Sequence, residues 1–416
     1  MSLNISRRTQ GLFGLLIGCV ILFGGLLLWQ THSFRTMTEA VSTRPFGPFV
    51  LEGRFLDKGI LHGGLELRLG FPGEQGMEEA FLTLKGSFRP GLSPSLKLHA
   101  VPPDKAEADV FFEAEPEVRI DFSMGMTLLK ADIRWNKATT DRDTLGEGAI
   151  TACLEPAADS VARIRVKGRL APSESRLDSG GFLSLGEKNF SYAYEPAPRR
   201  MALSYESGGD ILQDAPPLFL SGPLRFSLSA VASGEGNRQE NQASLDLNAR
   251  NLTLPGEDMP PVDIRFSGTL ASPPSFWLPC ALSQLLFSSS WSMIPGICPS
   301  GCGNGETFHA LQQGPVHGSV NECVLAWRGT SLTLNGTFHN EKSFLAEGNV
   351  RAVFPRGSSE NMDAADLLTQ QLRTTFEEMT AEGAARRLSV GEYETRIRAT
   401  VTSEGVLELT GDGVDL

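Results

Sequence analysis

The chain carries few signatures of chemistry. Its 416 residues include only six histidines (His32, His62, His99, His309, His317 and His339), and none stands in the H-E-x-x-H spacing of a helical zinc site. No G-x-S-x-G elbow presents a nucleophilic serine. The stretch GCGNGE (301–306) follows an irregular Cys/Pro segment rather than a strand, so it does not read as a phosphate-cradling loop. Asp141/Asp143 and Asp412/Asp415 are paired carboxylates in turn-like surroundings, where solvated turn residues are the ordinary reading. Clusters of Lys and Arg are also missing, and the net charge is −12. That balance excludes a phosphate-backbone partner and disfavours adhesion to anionic lipid headgroups, though not binding of lipid tails. The expectation is a protein without enzymatic activity, cofactor, metal or nucleic-acid partner.

Long hydrophobic runs are scarce too: there is one. Arg7 and Arg8 precede the uncharged stretch 11–29, whose apolar residues include Leu12, Leu15, Leu16, Ile17, Val20, Ile21, Leu22, Leu26, Leu27, Leu28 and Trp29. As a helix this run would extend about 28 Å, close to the hydrocarbon thickness of a bilayer. The arginines would hold the N-terminus in the cytoplasm, and Trp29 would lie among the headgroups. Leu16-Ile17-Gly18-Cys19 resembles a lipoprotein cleavage site, but the apolar run continues through 20–29, where a lipoprotein would turn polar. The run therefore reads as an uncleaved single-pass anchor. Residues 1–10 would be cytoplasmic, 30–45 a polar linker, and the bulk of the chain outside the cytoplasm.

The body alternates with period two. Leu65, Leu67, Leu69 and Phe71 share one face of a strand. So do Ile164 and Val166, then Leu224, Phe226 and Leu228, then Ile264 and Phe266, then Leu332, Leu334 and Phe338. Polar residues fill the positions between, the habit of antiparallel sheets with one face buried. With 44 Gly and 25 Pro scattered as turn formers, the fold class is mainly β. Two β-rich halves are expected, 46–210 and 211–416, with a soft boundary near 206–217. The apolar faces would line either an open groove or a packed core; alternation is the same for both. Residues 361–383 break the pattern with a helical stripe of Leu368, Leu372, Phe376 and Met379, ending at Gly383.

The segment 276–305 is apolar and holds Cys280, Cys298 and Cys302, with Cys323 shortly after. Outside the cytoplasm such a cluster reads as disulfides of undetermined pairing. A metal site built on Cys298, Cys302, His309, His317 and Cys323, or free thiols, are the other readings. Cys153 stands apart and reads as a buried strand residue.

FVLEGRFLDKGILHGGLELRLGF (49–71) and YETRIRATVTSEGVLELTG (393–411) resemble the opening strand pair and closing hairpin of YdgA-like bacterial envelope proteins, a family of unknown function. ASLDLNARNLTLPG (243–256) and VLAWRGTSLTLNGTFHNEKSFLAEGNVRAV (324–353) look similar to envelope proteins of AsmA-like character. The cysteine-rich segment departs from both. The resemblance implies an inner-membrane-anchored periplasmic protein with an elongated antiparallel sheet, associated with lipid movement or envelope assembly. Lipid, or other envelope proteins, would be its partners; the alternative function is a non-catalytic scaffold.

Overall fold

In the computed structural model, the described residues are 22–36, 38–39, 45–46, 49–56, 63–73, 76–101, 111–112, 116–139, 143–155, 163–177, 180–196, 199–213, 218–233, 240–253, 260–272, 277–280, 315–340, 344–355, 364–401 and 407–415. They are mainly strand, in antiparallel ladders. The chain divides into two compact units, residues 1–140 with 147–162, and residues 141–146 with 163–416. The division falls earlier than the boundary expected near 206–217. Strands on either side of that stretch pair directly with each other, so no break can lie there.

Unit 1 opens with a helix, α1, over residues 22–36. Its strands are β1 (Pro45–Phe46), β2 (Phe49–Phe55), β3 (Gly63–Gly73), β4 (Gly76–Arg89), β5 (Ser95–Val101), β6 (Phe111–Phe112), β7 (Glu117–Phe122), β8 (Leu128–Trp135), β9 (Ala138–Thr139) and β11 (Gly148–Glu155). Sequential hairpins pair β1 through β5, then β7, β8 and β11, while β6 pairs with β9. The helix docks on this sheet. Phe34 stacks on Phe88 with ring centroids 4.1 Å apart and meets Phe55 and Phe122 edge-on. Leu65, Leu96, Leu98 and Met126 complete this core. Burying Phe34 alone is worth about 1.5–3 kcal/mol. Gln30 is fully buried; its Nε2 donates to the carbonyls of Gly91 and Met124 at 3.0 Å each, and its Oε1 accepts from Gly91 N at 2.8 Å. Residues 30–36, expected to begin a polar linker, are thus helical and locked to the sheet. On β8, between β7 and β11, Asp132 is buried. Burial raises its pKa, but hydrogen bonds from Lys130 and Thr151 outweigh that and hold the carboxyl below its ordinary value.

Unit 2 begins with β10 (Asp143–Leu145), β12 (Arg163–Leu170), β13 (Ser173–Arg176), β14 (Phe182–Leu185), β15 (Lys188–Pro196), β16 (Arg199–Ser207), β17 (Asp210–Gln213), β18 (Leu218–Ser221) and β19 (Leu224–Ser233). It continues with β20 (Glu240–Leu252), β21 (Val262–Ser272), β22 (Val316–Trp327), β23 (Thr330–Asn340), β24 (Phe344–Val353), helix α2 (Ala364–Ala381), β25 (Arg386–Ser389), β26 (Glu392–Val401), β27 (Leu407–Gly411) and β28 (Val414–Asp415). The main ladder runs β12, β15, β16, β19, β20, β21, β22, β23, β24, β26, β27, β28, with β25 beside β27 on the outer side of β26.

A second ladder runs β10, β13, β14, β17, β18. Its members continue strands of the first: β12 passes into β13 across Ala171-Pro172, β14 into β15 across Gly186, β16 into β17 across Gly208-Gly209, and β18 into β19 across Gly222. Where β14 meets β15 and β16 meets β17, the bend needs residues without side chains. Gly186 N donates to Gly209 O at 2.7 Å, and a Cβ on Gly186 would lie 2.3 Å from that oxygen. Gly209 itself has φ +118°, a conformation that L side chains rarely adopt. Lys188 bridges the bend by donating to Ser207 Oγ and Asp210 Oδ1.

The helix expected over 361–383 is α2, and its stripe packs as the spacing predicts. Phe376, Leu372 and Met379 meet Phe354, Tyr393 and Val350, while Leu368 and Ala365 meet Trp327 and Val262. Gly383 terminates it with φ +82°; Gly383 N donates to Thr380 O at 3.3 Å and Ala384 N to Met379 O at 2.7 Å.

Candidate functional site

The main sheet of unit 2 gathers the apolar alternation of many separate strands onto one face. One cross-strand row runs Gly168, Phe190, Tyr205, Phe226, Leu247, Phe266, Cys323, Leu334, Val350. The next runs Val166, Tyr192, Leu203, Leu228, Leu245, Gly268, Val320, Gly336, Gly348, Ile397. A third runs Ile164, Tyr194, Met201, Ala230, Ala243, Leu270, Gly318, Phe338, Ala346, Ala399, Leu409. Ile264 and Leu332 are neighbours of Leu325 on a fourth, as Leu224 is of Ala249. Aromatic rings lie across the glycines: a Cβ on Gly318 would fall 2.5 Å from the Phe338 ring, and one on Gly168 2.0 Å from that of Phe190. Such rings cover the backbone that glycine leaves bare and level the surface.

Two groups of residues cover parts of this face. Trp277, Leu278 and Cys280 pack on Tyr194, Met201, Leu228 and Ala230, with the Arg199 guanidinium 4.3 Å from the Trp277 ring centroid. Helix α2 covers Leu332, Val350, Ala352 and Tyr393. Between and beyond these covers the surface is open to solvent at Leu325 (37% exposed), Leu334 (37%) and Leu409 (40%), and Phe226, Phe266 and Phe338 are only half-buried. Burial pushes the Tyr192 hydroxyl and the Cys323 thiol up from their ordinary pKa values, as an apolar, weakly hydrated surface requires.

The expected lining residues of unit 2 (Ile164, Val166, Leu224, Phe226, Leu228, Ile264, Phe266, Leu332, Leu334 and Phe338) are therefore brought together on one face. Leu65 and Leu67 belong to unit 1, where both pack in the core beneath Phe34. Leu69 and Phe71 lie on β3, and their side chains are outside the description.

The disulfide reading is corrected at Cys323, which is a free thiol between Phe266 and Leu334. Cys153, also free, is on β11 opposite Lys130 as a strand residue, but it is half-buried rather than buried. Cys280 is fully buried beside Trp277; Cys298 and Cys302 lie outside the described residues. The metal reading fails on the same strand. His317 and Cys323 are separated by six residues, which would place them on one face of a regular strand. One extra residue in β22 between Val320 and Cys323 reverses the alternation, so His317 faces the other side. Among the described residues no three His, Cys, Asp or Glu side chains could share a metal. Of the expected anchor, 11–21 lies outside the description. In 22–29, Leu22, Phe23, Leu28 and Trp29 are exposed, while Leu26 and Leu27 are half-buried. No helix among the described residues is long and apolar enough to cross a membrane.

The opposite face carries a feature not anticipated from the sequence. Ser229, Ser244, Thr269, Ser319 and Thr337 stand in one row on five adjoining strands, with hydroxyl contacts of 2.7 Å (Ser229–Ser244) and 2.8 Å (Thr269–Ser319). His317 and His339 oppose each other in the next row. Together they line a cleft of about 710 Å³. The signal lay in the polar positions between the apolar ones, which read as ordinary solvent-facing residues. Comparison with protein-family models, with curated proteins and with solved structures returns no match to the chain.

Proposed function

We propose that the protein is a non-catalytic, membrane-anchored component of a bacterial envelope. In this reading unit 2 holds lipid acyl chains against the apolar face of its sheet. The carrying observation is the continuity of that face: its first three rows run from β12 to β24, β26 and β27 respectively without a charged residue, yet Leu325, Leu334 and Leu409 remain more than a third exposed. A closed core has no reason to leave large apolar side chains of one continuous surface in water, and such patches mark binding surfaces. Acyl chains suit it because they need area and flatness rather than directed hydrogen bonds, which the ring-covered glycines supply. The anchor at 11–29, uncleaved and with its N-terminus in the cytoplasm, would hold this surface beside a source of lipid.

The test is lipid analysis of the full chain purified in mild detergent. Mass spectrometry should find phospholipid bound to the wild type and several-fold less on L334D/F338D, with retention of the fold checked by circular dichroism. A wild-type protein free of lipid overturns the reading.

A second reading, as a scaffold for envelope assembly, is favoured by the outer side of β27. β28 pairs with it only at Thr410 and Gly411, so the backbone of Leu407–Leu409 has no outer ladder partner among the described residues. An open edge of this kind accepts a strand from another protein. Loss of crosslinked partners in L409P, with lipid content unchanged, would favour the scaffold.

A further inference from the structure

The middle of α1 and two loops of unit 1 converge at one point. Gln30 fastens the helix to Gly91 and Met124 through its buried amide. Beside these anchoring atoms the large apolar side chains point outward: Leu92 is 66% exposed, Met124 47%, Leu28 53% and Trp29 48%. The helix preceding them continues outward with Leu22 and Phe23 exposed. Neither loop, RPGLS (89–93) nor SMGMT (123–127), contains a carboxylate. The second loop also satisfies its own backbone: Met126 N donates to Ser123 O at 2.9 Å, Ser123 N to Thr127 O at 2.8 Å, and Thr127 N to Ser123 Oγ at 3.1 Å.

We infer that the loops at Leu92 and Met124 form an apolar collar around α1 that dips into the lipid surface the helix itself enters. This rests on the reading of residues 11–29 as a membrane anchor. Four arguments select lipid as the occupant. The exposed side chains are continuous with the apolar run that begins at Gly11, so the surface that receives the run also meets the collar. Trp29 stands where that run ends, the level at which indoles settle among headgroups. Carboxylates, costly to bring against an anionic leaflet, are missing from both loops. A turn with its peptide groups paired internally can leave water at little cost. Unit 1 would then rest directly on the membrane, with no flexible stalk between.

The experiment uses the full chain in nanodiscs of phosphatidylethanolamine and phosphatidylglycerol. A photoreactive benzoylphenylalanine replaces, one at a time, Leu22, Leu92, Met124 and Lys137. Lys137 is an exposed control beyond the far end of β8, a strand whose terminal residues Leu128 and Trp135 are about 23 Å apart at the usual rise of a strand. After illumination, mass spectrometry counts lipid adducts. The collar predicts adducts at 22, 92 and 124 several-fold above those at 137. Adducts at 22, with 92 and 124 no higher than 137, overturn the collar and leave the anchor standing. No adduct at 22 removes the anchor reading and the collar with it. Crosslinks from 92 and 124 to a second copy of the chain, instead of lipid, assign the surface to self-association and also overturn the proposal.

Discussion

Tyr393 has no solvent exposure, and its hydroxyl donates to Glu377 Oε1 at 3.0 Å, tying β26 to α2. Burial and the neighbouring carboxylate raise the pKa of the phenol. In turn the Tyr393 hydrogen bond, with one from Arg373, holds Glu377 below its ordinary 4.5. Y393F keeps the packing and loses the bond, so urea denaturation should show a loss of about 0.5–1.5 kcal/mol. The pH dependence has a definite sign. A depressed carboxylate contributes stability above its unfolded pKa and loses it as pH falls through the folded one. The advantage of wild type over Y393F should therefore be full at neutral pH and shrink below about pH 4.5. Residue by residue, alternation was legible wherever a strand is regular, as at Leu224, Phe226 and Leu228. It does not carry across His317 and Cys323, because the bulge between them is an extra residue without a distinctive side chain. Cys323 offers its own check: a thiol raised by burial should alkylate at neutral pH several-fold more slowly in the folded chain than in urea.

Among the elements, α2 could be read from its stripe and from Gly383, since a helix that buries one face needs both a spacing and a stop. Replacing Gly383 by alanine puts a Cβ into a left-handed residue and should cost about 1–2 kcal/mol, seen as a lowered thermal midpoint, with asparagine milder. The bent strands were not legible. Pro172, Gly186, Gly208-Gly209 and Gly222-Pro223 mark bends through which the strand continues, whereas Gly180 and Gly181 lie where the chain reverses between β13 and β14. Both uses select glycine for the same steric reason, so sequence does not separate a corner from a hairpin. α1 was hidden differently. The polar look of THSFRTMTE suggested a linker, yet Thr31, Thr36 and Thr38 return their hydroxyls to the carbonyls of Leu27, His32 and Phe34 on their own helix.

For the molecule as a whole, two units with separate cores imply separate responses to damage. F34A removes the centre of the aromatic cluster in unit 1, and Y393A that of the helix-covered core in unit 2. Each should cost about 3–5 kcal/mol. Hydrogen exchange read by mass spectrometry should rise in β4, β5 and β7 for the first and in β24 and β26 for the second, each leaving the other unit's strands protected. The breadth of the apolar face belongs to this scale as well. Each strand's contribution was readable alone, but which strands adjoin is a matter of registry between distant segments, and only the assembled ladder makes one surface of them.

The clamp at Gln30 has a mechanical corollary. A helix held by three hydrogen bonds at one turn and by a stacked phenylalanine at the next is a shaft keyed to its wheel. Torque applied near Leu22 reaches the sheet of unit 1 with no slack joint to absorb it, and any rotation of the sheet returns along the same shaft.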